Sequence, residues 1–263
     1  MKKKRLIFSL FYEDGHFVQS RNFRRQRVGD VSWLRQTYGF STISTSVDEL
    51  IIVDISSNHS KSSQQQFLKD AATIAEMFFA PIAIGGNVVS LDDARRALAI
   101  GAEKIVVNTA LFKSPDQVAE IVNALGSQAV VGSVDLRRQE DSYAAYVCNG
   151  TEVVPFEVSS YLQGVIDLGV GELLLGSIDK DGTGMGFDLN ILDLVPTSCE
   201  VPIVMMGGAG TVDHLKVPLA LPSVDGVATG NLFNFVGNGL PDARASLLAS
   251  GQPLASFIEV MTP

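Results

Sequence analysis

Asp135 is the residue of this chain best suited to moving a proton. It closes the apolar run Ala129-Val130-Val131-Gly132-Ser133-Val134, which reads as a buried strand. A carboxylate at the end of such a strand costs free energy unless it is paired or used. The alternative is an aspartate that caps the following segment. Short groups of small and polar residues also follow apolar runs: Gly85-Gly86-Asn87, Asn108-Thr109, Asp181-Gly182-Thr183, Gly207-Gly208-Ala209-Gly210 and Thr229-Gly230-Asn231. Glycine lets backbone amides approach a phosphate closely, and a helix start adds a favourable dipole. Glycines after strands also make ordinary tight turns. Two such sets in the same register, one in each half of the chain, favour phosphate binding and a ligand with a phosphate at each end.

The elements that must position these groups are short strands alternating with helices. Strands are expected over Arg5–Phe11, Glu49–Asp54, Pro81–Gly85, Lys104–Val107, Ala129–Asp135, Glu172–Ile178, Val201–Met206 and Gly226–Thr229. Ser90-Leu91-Asp92-Asp93 opens one helix, which Gly101 closes, and Ser114-Pro115-Asp116-Gln117 opens another as a capping box. Strand then helix, eight times over, predicts an α/β fold of the (β/α)8 TIM-barrel type in a single domain over residues 1–263. A doubly wound open sheet is the rival, but no GxGxxG follows the first strand. The chain also repeats at nearly half its length. Gly85-Gly86 matches Gly207-Gly208, Glu49 matches Glu172, and Phe11 matches Asp135. This implies two fused half-barrel repeats, with Phe11 facing Asp135 across the mouth where barrel enzymes do their chemistry. Phe11 is followed by the turn Glu13-Asp14-Gly15.

Composition narrows the function classes. The net charge of −9 argues against general nucleic-acid binding, which needs a basic face. Cys148, Cys199 and the histidines His16, His59 and His214 have no metal-ligand spacing, so no metal and no cofactor is expected. Two cysteines suit a reduced, cytoplasmic setting. The basic run Lys2-Lys3-Lys4-Arg5 lacks the apolar stretch of a signal peptide, and no apolar run is long enough to span a membrane. Arg21, Arg24, Arg25 and Arg27 could hold a phosphate, a nucleotide sugar or a partner; the plainer expectation is a solvated, flexible loop. Trp33 and most of the fourteen phenylalanines are expected in the core.

Over nearly the whole chain the sequence resembles the cyclase subunit family of imidazole glycerol phosphate synthase (HisF). The resemblance is carried by Asp48-Glu49-Leu50-Ile51-Ile52-Val53-Asp54, Lys104-Ile105-Val106-Val107-Asn108-Thr109-Ala110, Gly126-Ser127-Gln128-Ala129-Val130-Val131, Ser177-Ile178-Asp179-Lys180-Asp181-Gly182-Thr183 and Gly207-Gly208-Ala209-Gly210. It implies a barrel that takes ammonia from a glutaminase partner (HisH) and cleaves and cyclises a bis-phosphorylated ribulosyl intermediate. The phosphate-binding residues would be Gly86, Asn87, Asn108, Thr109, Asp181, Gly182, Gly208, Gly230 and Asn231. The family uses two aspartates as acid and base. Asp135 matches one, and the other falls on Phe11, which cannot carry a proton. The lysine of the family's first active-site loop falls on Gln19, and the third glycine of its first phosphate loop on Asn87.

The resemblance also implies a ring of four charges at the opposite barrel face, gating an ammonia channel. The matching residues are Arg5, Glu49, Lys104 and Glu172, all of the family's charge type. Ordinary rim ion pairs are the alternative. Arg5 and Phe11, like Lys104 and Asn108, differ by an even number of positions, so both members of each pair point to one face of a strand, and the two faces of the barrel stand roughly 20 Å apart. Glu103 would lie at the face where a glutaminase docks. A kept conduit beside a broken acid–base pair resembles the HisF-like branch of surface-polysaccharide (O-antigen) pathways, where ammonia serves amidination of a sugar by a third protein, a sugar amidotransferase. Arg24-Arg25, Val28-Gly29-Asp30 and Val131-Gly132-Ser133 resemble that branch; Asn22-Phe23 is shared with the ordinary enzyme. Two rivals stand beside it. One is an orthodox cyclase of histidine biosynthesis in which Asp14, Glu13 or Asp54 replaces the missing acid. The other is a non-catalytic protein that only activates a glutaminase.

Overall fold

A computed structural model of the chain describes residues 3–37, 40–57, 60–230 and 239–255. The first half runs β1 (Arg5–Glu13), β2 (His16–Arg21), β3 (Arg24–Gly29), α1 (Val31–Thr37), α2 (Phe40–Ser44), β4 (Glu49–Asp54), α3 (Lys61–Ala75), β5 (Ile82–Gly85), α4 (Leu91–Ala99), β6 (Lys104–Val107), α5 (Thr109–Lys113) and α6 (Pro115–Leu125). The second half runs β7 (Val130–Gln139), β8 (Ser142–Val147), β9 (Glu152–Val153), α7 (Val158–Asp167), β10 (Glu172–Ser177), β11 (Ile203–Met206), α8 (Val212–Leu219), β12 (Gly226–Thr229) and α9 (Gly239–Ala249).

Eight of these strands pair in parallel and close on themselves. The order is β1-β4-β5-β6-β7-β10-β11-β12, with β12 returning to β1. This is the expected (β/α)8 barrel, and its strands fall where the sequence places them to within two residues at the N-terminal ends. Between β10 and β11 the described chain forms a 3-10 turn, Leu189–Leu194, in place of a full helix.

Strand alternation builds two separate apolar layers. Ile7, Ile51, Ala83, Val106, Val131, Leu174, Val204 and Ala228, one from each barrel strand, fill the interior. Their outward neighbours, such as Leu6, Phe8, Leu50 and Leu173, pack with the helices, including Phe67, Ile74, Leu162 and Leu247. Each fully buried side chain of this kind contributes about 1.5–3 kcal/mol.

Three expectations need correction. The strands expected to end at Phe11 and Asp135 continue to Glu13 and Gln139, and each turns back as an antiparallel hairpin, β1–β2 and β7–β8. The first turn is Asp14-Gly15, both at positive φ, and Asp-Gly between alternating residues is a strong hairpin signal. The arginine-rich segment, expected as a flexible loop, is β3 of a second hairpin paired with β2. Ser114 does not cap α6 through its side chain, because its backbone also ends α5. Ser90 does cap α4: its hydroxyl accepts from the Asp93 amide at 3.3 Å and donates to the Asp93 carboxylate at 2.7 Å. Phe79 and Phe156 are exposed phenylalanines, at 81% and 57%, outside the core in which most were expected.

The last helix is bolted to the barrel floor by a buried ion pair. Arg244, 5% exposed, donates to Asp48 at 3.0 and 2.9 Å, and Asp48 also accepts from the Leu6 amide at 2.8 Å. A two-pronged pair of this kind fixes geometry as well as charge. Arg244→Ala leaves Asp48 buried without its cation, which costs about 3–5 kcal/mol. Thermal unfolding followed by circular dichroism should show a melting temperature lower by roughly 10 °C.

Candidate functional site

The C-terminal ends of the barrel strands form a mouth over the interior layer. Phe11 on β1 and Asp135 on β7 occupy opposite positions in the ring of strands, four strands apart in either direction. Both line one cavity of about 440 Å³. The Asp135 carboxylate accepts from Asn108 Nδ2 at 3.1 Å, and the same amide donates to the Ser133 carbonyl at 3.0 Å. Asn108 thus fixes the carboxylate that the β7 register points inward. Burial pushes the Asp135 carboxyl up to about 7; the charge of Asp181 adds to this and the Asn108 hydrogen bond opposes it. A proton is therefore exchangeable there near neutral pH.

Gly176 is a site residue that the sequence alone did not reveal. It is in register with Asp135 on the neighbouring β10, and a side chain on it would meet Asp135 Oδ1 at 2.7 Å. The glycine makes room for the carboxylate. Its signal, a glycine inside an otherwise aliphatic strand, marks a close approach.

Asp181 holds the lid of the mouth. Its carboxylate accepts from the Ser20 hydroxyl and, at 3.0 Å, from the Phe23 amide; its carbonyl accepts from the Asn22 amide at 2.9 Å. The Asn22 side chain reaches the carbonyls of Ile178 and Asp179 at 3.3 and 2.7 Å. The tip of the β2–β3 hairpin thus crosses from β1 to the loop after β10. Asn22 and Phe23 both stand in the left-handed region, at φ 51° and 61°, and a bulky residue is seldom found there. Phe23 packs with Ala144, Tyr146 and Ile178, which hold it in place. Burial raises the Asp181 carboxyl too, against the Ser20 and Phe23 hydrogen bonds.

The two glycine sets lie in different pockets. Gly86, Asn87, Asn108 and Thr109 line the larger cavity. Gly182, Gly208 and Gly230 line a smaller one of about 40 Å³. Phe11, with Ser20, Asp181, Met206 and Gly207, lines both and so stands between them. Several of these glycines answer to chain packing: a side chain on Gly86 would meet the Asp54 carbonyl at 2.3 Å, and one on Gly208 the Gly186 carbonyl at 2.1 Å. Asn87 takes the left-handed conformation at φ 53°, which asparagine tolerates better than most residues. Gln19 lies on β2 opposite Gln26 and lines the smaller pocket. Asn231 and His59 lie outside the described residues.

At the N-terminal face, Arg5, Glu49, Lys104 and Glu172 meet. Arg5 contacts Glu49 at 3.0 Å and Glu172 at 2.8 Å; Lys104 contacts Glu49 at 2.9 Å and Glu172 at 3.3 Å. Each cation touches both acids, so the four close a ring beneath the interior layer. Burial works against the charge of Arg5, yet Glu172 and then Glu49 outweigh it and raise its pKa. Burial raises Glu49, and Lys104 opposes that shift most. Glu103 is exposed beside the ring. Among the described residues, no group of three or more His, Cys, Asp or Glu is arranged to hold a metal ion, and no helix is long and apolar enough to cross a membrane.

Comparison with known proteins agrees with this architecture. The profile of the family described as "Histidine biosynthesis protein" matches residues 5–237. The chain is 39% identical over 244 residues to "Putative imidazole glycerol phosphate synthase subunit hisF2" of Parasynechococcus marenigrum, covering 93% of this chain and 90% of that protein. It is 34% identical over 255 residues to the imidazole glycerol phosphate synthase subunit HisF of Chlorobium limicola, covering 97% and 99%. It is 32% identical over 253 residues to the HisF subunit of Streptococcus gordonii, covering 95% and 98%. With the barrel strands, the Asp135 mouth and the charged floor all inside the matched span, this chain belongs to the HisF family of imidazole glycerol phosphate synthase subunits.

Proposed function

We propose that this barrel receives ammonia from a HisH-like glutaminase at its N-terminal face and has given up the cyclase reaction, its nitrogen serving amidination of a surface sugar by a third protein. One observation carries this: Phe11 stands opposite Asp135 while the ring of Arg5, Glu49, Lys104 and Glu172 is complete. A base without its acid cannot pass a proton across a substrate. A ring of four charges on the floor does nothing for the mouth alone, yet it guards the axial route through the interior. Ammonia entering from below must break an ion pair of this ring. Phe79, exposed just before β5, and Glu103, just before β6, flank that entrance as an aromatic and an acidic contact for the glutaminase. In the mouth, a phosphorylated ligand is held at Gly182, Gly208, Gly230 and Asn231, while at the other set, Gly86, Asn87, Asn108 and Thr109, the Asn87 side chain crowds the approach of a phosphate.

A second reading keeps the orthodox cyclase of histidine biosynthesis. In its favour, Asp54 and Asp181 line the larger cavity with Asp135. Asp14 and Glu13 do not serve: Asp14 sits exposed on the hairpin turn and Glu13 is paired with Arg25.

The two readings differ in cyclase turnover with ammonium salt and the ribulosyl intermediate, which needs no glutaminase. The purified protein should show none. Phe11→Asp combined with Gln19→Lys should raise the rate at least about a hundredfold, the scale of one general acid or base. An ordinary rate in the unaltered protein establishes the second reading. In the revived variant with a glutaminase bound, adding Lys104→Met should lower glutamine-driven turnover about tenfold more than ammonium-driven turnover, a difference of about 1.4 kcal/mol in barrier. Equal losses would remove the ring from the ammonia route.

Stability should also report on Asp135. Its folded carboxyl is raised from 3.8 to about 7, so between those values the folded chain holds a proton that the unfolded chain has released. Stability is then fullest below about pH 4 and falls as pH rises to about 7, by a few kcal/mol in all. Asp181, also raised by burial, adds a slope of the same sign. Urea midpoints at pH 5 and pH 8 should differ less in Asp135→Asn than in the unaltered protein, with the variant the more stable at pH 8.

A further inference from the structure

A cavity of about 440 Å³ remains at the mouth once cyclase chemistry is set aside, which is the size of a small-molecule site. One wall is aromatic and aliphatic, built from Phe11, Phe23, Val53, Ile55 and Val88. Hydroxyls and amides supply much of the rest, among them Ser57, Asn87, Asn149 and Thr151. The charged groups are unbalanced. Asp54, Asp135 and Asp181 face the cavity, and the one cation among its described lining residues is Arg25. That guanidinium is already bound to the Glu13 carboxylate and, at 3.2 Å, to the Ile55 carbonyl.

A phosphate entering here would shed water, meet three carboxylates and find its only cation engaged. Nor is the first glycine set bare. Gly86 turns its open side to the backbone of Asp54, and Asn87 places a side chain beyond it. A neutral ring fits better. Its C–H face stacks on a flat aromatic wall, and its hydroxyls donate to carboxylates, the stronger kind of hydrogen bond. Phe11 also closes the way to the smaller pocket, so a ligand anchored at both ends would have to displace it.

We infer that the larger cavity binds a neutral, hydroxyl-bearing ring compound, a sugar or a nucleoside, stacked on Phe11, with no phosphate held in that half of the mouth. This goes beyond ammonia delivery and does not depend on it. Binding belongs to the barrel alone, so its failure leaves the ammonia reading standing, and the reverse holds too.

The test is a calorimetric titration of the purified full chain, without glutaminase or ammonia, using N-acetylglucosamine, adenosine and inorganic phosphate as separate probes. Saturable binding of a ring compound is expected, undiminished by saturating phosphate. Binding of only one of the two assigns the source, sugar or nucleoside. Phe11→Leu keeps the apolar volume but removes the flat face, and should weaken the ring compound about tenfold. The proposal is overturned if neither ring compound binds at millimolar concentration. It is overturned equally if phosphate displaces the ring compound.

Discussion

Every barrel strand here must present alternate side chains to a space too narrow for bulk water. That constraint orders the molecule from floor to mouth. Arg5, Ile7, Ser9 and Phe11 follow one another on the inner face of β1; Glu49, Ile51 and Val53 do so on β4, and Glu172, Leu174 and Gly176 on β10. Each strand thus contributes a floor group, an interior plug and a mouth residue from one line of alternating positions. A one-residue slip would carry all three to the helix side together.

The floor obeys a second rule. Glu49 and Glu172 are buried, and buried acids need partners. Arg5 and Lys104 each touch both acids, so replacing any charge in the ring takes one of two partners from each of two others. The mouth is built on the opposite plan. Asp135 is kept from full ionisation by burial and by a neighbouring carboxylate, with one amide to orient it. The same strand period thus carries a neutralised cluster at one end and a strained acid at the other.

Much of this is legible in the residues. The eight barrel strands stand out because short β-branched runs bounded by glycine and polar turns have few other solutions. Asp135 stands out because its strand is otherwise apolar. What stays hidden are features decided across strands. The β3 strand of the first hairpin carries too many arginines to read as a strand, and Asp14-Gly15 reads as the end of a strand instead of a reversal. Gly176 matters only because Asp135 lies beside it in the sheet, which no spacing along the chain discloses. Gly86 and Gly208 read as openings for a ligand, yet the structure also shows neighbouring backbone pressed against them.

The hairpin tip that spans the mouth has a consequence for the order in which the molecule assembles. The bond from the Phe23 amide to Asp181 joins residues 158 positions apart. Contacts of such long range must first meet the entropy of closing the intervening chain, so they form after the local strand–helix units have docked. By that measure the mouth is finished late, after β10 has joined β7, as is the closure of β12 on β1, where Arg5 pairs with Gly226. For the same reason it can be the first to loosen: releasing Asn22 and Phe23 frees a short ribbon and leaves every barrel strand paired.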